Sequence, residues 1–120
     1  VSGNGDGDLI RGTIVHNAAR TVSGDSAAYN LGAVGATQKL YGTLHLLSVT
    51  GSGTFNCKIQ SDALVGFTSP ADVITFAQLT AVGSQFATPI AGALTDSWWR
   101  ADYTIAGFSS VTFCVVVGIQ

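Results

Sequence analysis

The chain of 120 residues carries 12 charged side chains, none of them Glu, against 47% apolar residues and a formal net charge of −2. An ordinary soluble domain is about 25% charged and low net charge favours association, so the composition fits a subunit covered by neighbours, and equally a β-rich domain that uses Thr and Ser where helical ones use Glu and Lys. Five scattered basic residues make no phosphate-binding stripe and no run reaches the ~18 apolar residues of a membrane helix, so neither nucleic acid nor membrane is expected as a partner.

Residues 1 to 8 read as a flexible arm of Gly, Asn, Asp and Ser, with no basic region and apolar run of the signal-peptide kind. Residues 9 to 120 read as one domain. From Leu9 to His16 a strand is expected with Ile10 and Ile14 on one side and Arg11 and Thr13 on the other. A loop follows from Asn17 to Ser26, then a short strand-like piece at Ala27 to Leu31. Leu40, Leu44 and Leu46 alternate with Tyr41, Thr43 and His45. In the next run Phe55, Cys57, Ile59 and Ser61 take one face and Asn56, Lys58, Gln60 and Asp62 a wetter one. The link Thr50-Gly51-Ser52-Gly53-Thr54 has the glycines of a tight turn, so these two runs are expected to form a hairpin. After an irregular segment from Asp62 to Asp72 come strands at Val73 to Leu79, Phe86 to Ile90 (weakened by Pro89), Trp98 to Ile105 and Val111 to Gly118. No window holds a helical period, and short strands separated by turn signals at roughly 8 to 12 residues indicate an all-β protein. The expected architecture is a two-sheet antiparallel β-sandwich, jelly-roll-like, of about seven or eight strands.

The chemistry-bearing residues do not assemble into a catalytic motif. Asn4, Asp6 and Asp8 have the spacing of the first half of a calcium loop, but position 12 falls on Val15 and not on a bidentate Glu, so no metal is expected. Gly24-Asp25-Ser26 has the composition of a lipase nucleophile block without the strand–helix context or the downstream Asp-x-x-His. His16 and His45 are the only imidazoles, and neither stands in a G-x-S-x-G or H-E-x-x-H setting. Asp62, Asp72 and Asp96 read as turn residues. Cys57 and Cys114, the only two cysteines, make no disulfide framework and are expected reduced in the interior. No catalytic residue and no cofactor is expected.

Recognition chemistry concentrates near the C-terminus. Alternation turns Trp99, Ala101, Tyr103 and Ile105 inward and leaves Trp98, Arg100 and Asp102 outside, where Arg100 is expected to pair with Asp102 and lie over Trp98. An outward Trp beside an Arg has the composition of an interface hot spot and also of a sugar platform. In the last strand Val111, Phe113, Val115 and Val117 share one face while Cys114 and Val116 leave the other apolar too, as on a strand whose outer side meets a partner. The candidate interface is therefore Trp98, Arg100, Asp102 and Val116, joined by Leu9 and Ile10 beside the arm.

The succession Leu44-His45-Leu46-Leu47-Ser48-Val49, Gln60-Ser61-Asp62, Ile74-Thr75-Phe76 and Trp99-Arg100-Ala101-Asp102-Tyr103-Thr104-Ile105, followed by a Val/Phe strand, resembles the small β-sandwich structural proteins of tailed bacteriophage virions, particularly head decoration or cement proteins. The resemblance covers about two thirds of the chain. Where similar proteins often carry a Trp after the Ser-Asp turn, this chain has Phe67. The resemblance implies a non-enzymatic protein of the capsid surface, assembled in the host cytoplasm. As a homo-oligomer, with a trimer among the options, it would clamp subunits of the major capsid protein against internal pressure. A glycan-binding module of a tail or secreted protein, and a tail-tube or connector subunit, are the alternatives. On the decoration reading, removal of residues 1 to 8 lowers occupancy on purified capsids, measured by co-sedimentation; unchanged occupancy counts against a role for the arm.

Overall fold

Alternating apolar and polar residues give strands with one buried and one wet face, and two sheets of such strands can close a core between them. The computed structural model describes residues 12–120. Its strands are β1 (Gly12–Arg20), β2 (Gly24–Asp25), β3 (Tyr29–Asn30), β4 (Lys39–Thr50), β5 (Thr54–Asp62), β6 (Ala71–Thr75), β7 (Gly83–Phe86), β8 (Ile90–Ala91), β9 (Trp98–Ala106) and β10 (Ser110–Ile119). Sheet I runs β1-β10-β4-β7, with β8 also on β4; sheet II runs β2-β9-β5-β6, with β3 also on β9. Every pairing is antiparallel. The architecture is the all-β two-sheet sandwich, with ten strands among the described residues because three two-residue strands, β2, β3 and β8, join the longer ones.

The core is built from the expected inward sets. Leu40, Leu44 and Leu46 of β4 and Val111, Phe113, Val115 and Val117 of β10 face Phe55, Cys57 and Ile59 of β5 and Trp99, Ala101 and Tyr103 of β9, all buried. Phe113 is the meeting point: its ring centroid lies 4.7 Å from Phe55, 5.0 Å from Tyr103 and 4.0 Å from His16. A bulge between Ile14 and His16 puts both Val15 and His16 inward. The Trp99 indole N–H, which would be costly to bury unpaired, donates to the Gly32 carbonyl at 2.9 Å.

The expected hairpin of β4 with β5 does not form. β4 pairs with β10, β7 and β8, and β5 with β9 and β6, because each strand has one strongly apolar face and the two faces meet across the core. The glycine link is a crossover between sheets. It packs beside a second crossover from β9 to β10, where Ser109 N donates to the Thr50 carbonyl at 2.9 Å. Gly51 and Gly107 take φ of 86° and 88°, and a Cβ on Gly53 would overlap the Ala106 carbonyl oxygen.

Three other boundaries shift, and one strand face differs. The expected loop from Asn17 to Ser26 is strand to Arg20 and again at Gly24–Asp25, since β10 offers partners as far as Val111. Pro89 divides the expected Phe86 to Ile90 strand into β7 and β8, as a missing N–H would. The ladder ends at Thr75 in β6, although Phe76 and Leu79 still bond to Cys57 and Phe55. The far end of β5 is dry: Gln60 and Asp62 are buried, and Asp62 accepts from Leu64 N at 3.0 Å and Ser69 N at 2.8 Å of the loop after it. The arm, Leu9, Ile10 and the Asn4-Asp6-Asp8 spacing lie outside the described residues.

Because backbone atoms fill the space at Gly53, Gly53→Ala forces the two crossovers apart and lowers unfolding free energy by about 3 kcal/mol, read as a shifted urea midpoint. A loss below about 0.5 kcal/mol would show that the crossovers do not depend on that contact.

Candidate interaction surfaces

The outward residues of the two sheets differ sharply in chemistry. Cross-strand register sets the outer face of sheet I in rows. One row is Ile14, Val116, Thr43 and Phe86; the next is Asn17, Cys114, His45 and Ser84; on the other side lie Gly12, Gly118 and Tyr41. None of these eleven side chains carries a formal charge at neutral pH, and Lys39 marks the margin at the start of β4. Ile14 is 52% exposed and Phe86 74%. An open cavity of about 300 Å³ lies beside Thr43, lined by Val116, Tyr41, Phe86, Ala87 and the backbone of Gly12, Gly42 and Gly118. His45 receives or gives a hydrogen bond with Ser84 Oγ at 2.8 Å and meets the Phe86 ring edge-on. Cys114 is half-buried on this face and not an interior residue, whereas Cys57 is buried in the core, where burial pushes its thiol up to about 12.

Sheet II collects most of the described charge. Asp25, Asp102, Lys58 and Thr75 form one row across β2, β9, β5 and β6. Their side chains close a ring with the row beside it. Lys58 Nζ lies 3.0 Å from Asp72 and 3.7 Å from Asp102. Asp72 accepts from Gln60 Nε2 at 2.9 Å, Gln60 Oε1 accepts from Arg100 Nε at 3.0 Å, and Arg100 lies 3.5 Å from Asp25. Asp25 stands directly across from Asp102 in the strand register, which brings their carboxyls together and completes the circuit. Three carboxyls face two cations, so a single proton on the Asp25–Asp102 pair makes the ring neutral. Burial, then the hydrogen bond and charge of Asp25, push Asp102 up to about 6, against the pull of Lys58 and Arg100. The hydrogen bonds from Gln60 and Lys58 hold Asp72 below the usual carboxylate range.

Arg100 therefore does not pair with Asp102 or lie over Trp98. Its guanidinium stands 4.3 Å from the Phe67 ring centroid, and Phe67 is buried at φ 49° on the loop that Asp62 fastens. Trp98 is half-buried at the end of β9, opposite Asn30 and Asp62. Val116 belongs to sheet I and Trp98, Arg100 and Asp102 to sheet II, so the expected single patch is divided between opposite faces of the sandwich. Asp72 is a strand residue of the ring and not a turn residue. Ser26 is structural: its Oγ accepts from Ala101 N at 2.9 Å and donates to the Ala27 carbonyl. Alternation marks Thr43, His45 and Val116 as outward and sets Gln60 beside Lys58 on one face of its strand; nothing local marks Asp25, Asp72 and Phe67, which reach Arg100 and Lys58 only through pairing of distant strands and through the loop after β5. Among the described residues no cluster of three metal-ligating side chains occurs.

No protein-family model matches this sequence, and no curated protein does. Solved structures do. A chain in the structure of infectious bursal disease virus Gx strain superposes with TM-score 0.57 at 12% identity over 93% of this chain, which spans 33% of that one. The Yersinia pseudotuberculosis-derived mitogen superposes with TM-score 0.55 at 11% identity, over 92% of this chain and 86% of the mitogen. The likeness at these identities is one of fold.

The raised Asp102 has a definite sign. Between pH 3.8 and about 6 the folded chain binds a proton there that the unfolded chain does not, so this contribution to stability is present at acid pH and lost as pH rises through about 6. Asp102→Asn removes it, and the fall in urea midpoint between pH 4.5 and 7 attributable to this group disappears relative to the parent. His16, whose pKa is lowered mainly by burial, acts oppositely below its unfolded value and is common to both proteins. Parallel pH profiles for the two would show that Asp102 is not raised in the folded chain.

Proposed function

We propose that this chain is a virion structural protein of the capsid-decoration kind, a non-enzymatic homo-oligomer on the capsid surface that binds between subunits of the major capsid protein. The observation that carries the reading is the outer face of sheet I: its rows lack charge, and Phe86 and Ile14 stand largely exposed on it. Contiguous exposed apolar surface marks an interaction site, and a row of neutral side chains can be covered without stranding a charge. The opposite face pairs its charges internally and can face water. The fold shared with a chain of a virus structure is compatible with that role. A standard interface of about 1,600 Å² supports specific attachment, and repetition over a shell multiplies it.

The glycan-binding reading has one observation of its own. A cleft of about 200 Å³ on sheet II is lined by Asn56, Lys58, Thr75, Asp102 and Thr104, the polar side chains a sugar would need, with Trp98 half-exposed on the same sheet. Glycan-array binding by the chain, abolished in Trp98→Ala, would favour it.

On the decoration reading, the protein co-sediments with intact phage heads at a copy number that saturates in fixed ratio to capsid subunits. Phe86→Asp, which puts an unpaired charge in the covered face, weakens that binding at least about tenfold, equivalent to ~1.4 kcal/mol. No co-sedimentation, or equal binding by the variant, would overturn the reading.

A further inference from the structure

We propose that the outer face of sheet I packs against the same face of a second copy about a two-fold axis running along β4. This rests on the reading of that face as a covered one and names a second copy as what covers it, so that Phe86→Asp weakens attachment to the shell by breaking up the homo-oligomer. The strand order β1-β10-β4-β7 places β4 between β10 and β7. A two-fold axis along β4 therefore lays β7 of one copy over β10 of the other. The register puts Ile14, Val116, Thr43 and Phe86 in one row, so each Phe86 ring lands across the Thr43 furrow on the partner's Val116–Ile14 wall. The furrow opens into the cavity of about 300 Å³ between Val116, Tyr41 and Phe86. Phe86 thus stands on one side of the axis and the Val116, Gly118 and Gly12 wall of the hollow on the other, so that each ring meets the partner's wall, as an isologous contact requires.

Charge and size agree with this occupant. Stacking a charged face on itself would oppose like charges, the arrangement that the ring of sheet II would create. The three named rows of sheet I carry none; Lys39, which alternation puts on the same side of β4 as Tyr41, stands exposed at the start of that strand, where it and its copy reach past the covered rows into water, and His45 already has Ser84 as its partner. β1, β10 and β4, nine to twelve residues long, and the six residues of β7 and β8, at ~3.4 Å each and ~4.8 Å spacing, make a face of roughly 600 Å² before side-chain margins. With those margins it approaches the roughly 800 Å² that each partner of a standard interface buries.

The test uses the symmetry. Thr43 lies on the axis and meets its own copy, so Thr43→Asp and Thr43→Lys each place like charges in contact. By equilibrium sedimentation the full chain is expected to be dimeric at tens of micromolar, each variant alone to dissociate at least tenfold more readily, and their equimolar mixture to recover the dimer. Cooperative thermal unfolding verifies that the variants fold. Should they not, Phe86→Ser, at a side chain 74% exposed, carries the same expectation of a weakened dimer. A monomeric parent, a trimer, a variant that stays dimeric, or a mixture that stays monomeric overturns the proposal. So does a chain that dimerises only after removal of residues 1 to 11, since its own segment would then be the occupant. A dimer that ignores phage heads leaves this contact standing and removes the decoration reading; a monomer that saturates heads does the reverse.

Discussion

Phe113 is the residue on which the two sheets depend. It projects from β10 of sheet I and touches Phe55 and Tyr103 of sheet II, with His16 of β1 stacked on its other side at an interplanar angle of 22°. Burial of one such ring stabilises by about 1.5–3 kcal/mol, and each well-placed aromatic pair adds about 0.5–1.5 kcal/mol. Among the described residues no other side chain makes aromatic contact with β1, β5 and β9 together. The bulge at Val15 belongs to the same arrangement, because without the extra residue His16 would fall on the outer face. The neutral imidazole is then kept by its surroundings: burial and the nearby Arg20 lower its pKa, outweighing the hydrogen bond to Ala18.

With the inner faces committed to this core, the sequence is left with two outer faces and very little charge, and it spends that charge on one of them. Lys58, Asp72, Gln60, Arg100, Asp25 and Asp102 satisfy each other across four strands. The ring also fastens what surrounds it. Asp25 holds the two-residue β2 to β9 through Arg100, and Arg100 covers Phe67, which anchors the loop beginning at Asp62. Individually such half-exposed ion pairs contribute little; as a closed network they position short elements that backbone pairing alone would hold weakly. Sheet I needs no such device, since β1, β4 and β10 are nine, twelve and ten residues long.

The inward sets of β4, β5, β9 and β10 were legible because strand periodicity is local: Trp99, Ala101 and Tyr103 are buried where alternation places them. Sheet membership was not legible, because it depends on which buried face meets which. A glycine-rich link of five residues is compatible with a hairpin and with a crossover, and only the mutual burial of Leu44 and Phe55 from opposite sheets decides between them. The same ambiguity merged Trp98 and Val116 into one patch; they are near in sequence but follow opposite sides of the β9–β10 crossover. Arg100 was assigned Asp102 as the nearest opposite charge along its own strand, whereas its partners Asp25, Gln60 and Phe67 arrive from β2, β5 and the following loop.

The sheet edges determine how such a molecule can associate. A long open edge invites another strand, and proteins blunt it with short strands, proline or bulges. Here the outer strands of sheet II are β2 and β6, of two and five residues, and one side of sheet I ends in β7 and β8 with Pro89 between them. The remaining edge, β1, is bulged at Val15, and at its last residue Arg20 Nε donates to the Tyr103 hydroxyl of the other sheet. Extension of either sheet by edge pairing is therefore disfavoured at three edges by length and at the fourth by shape. What the fold leaves open is a broad neutral face with an aromatic ring raised on one side of its central strand and a hollow beside it. For a chain so poor in charge, association through the neutral rows beyond Lys39 requires no new ion pair and disrupts none.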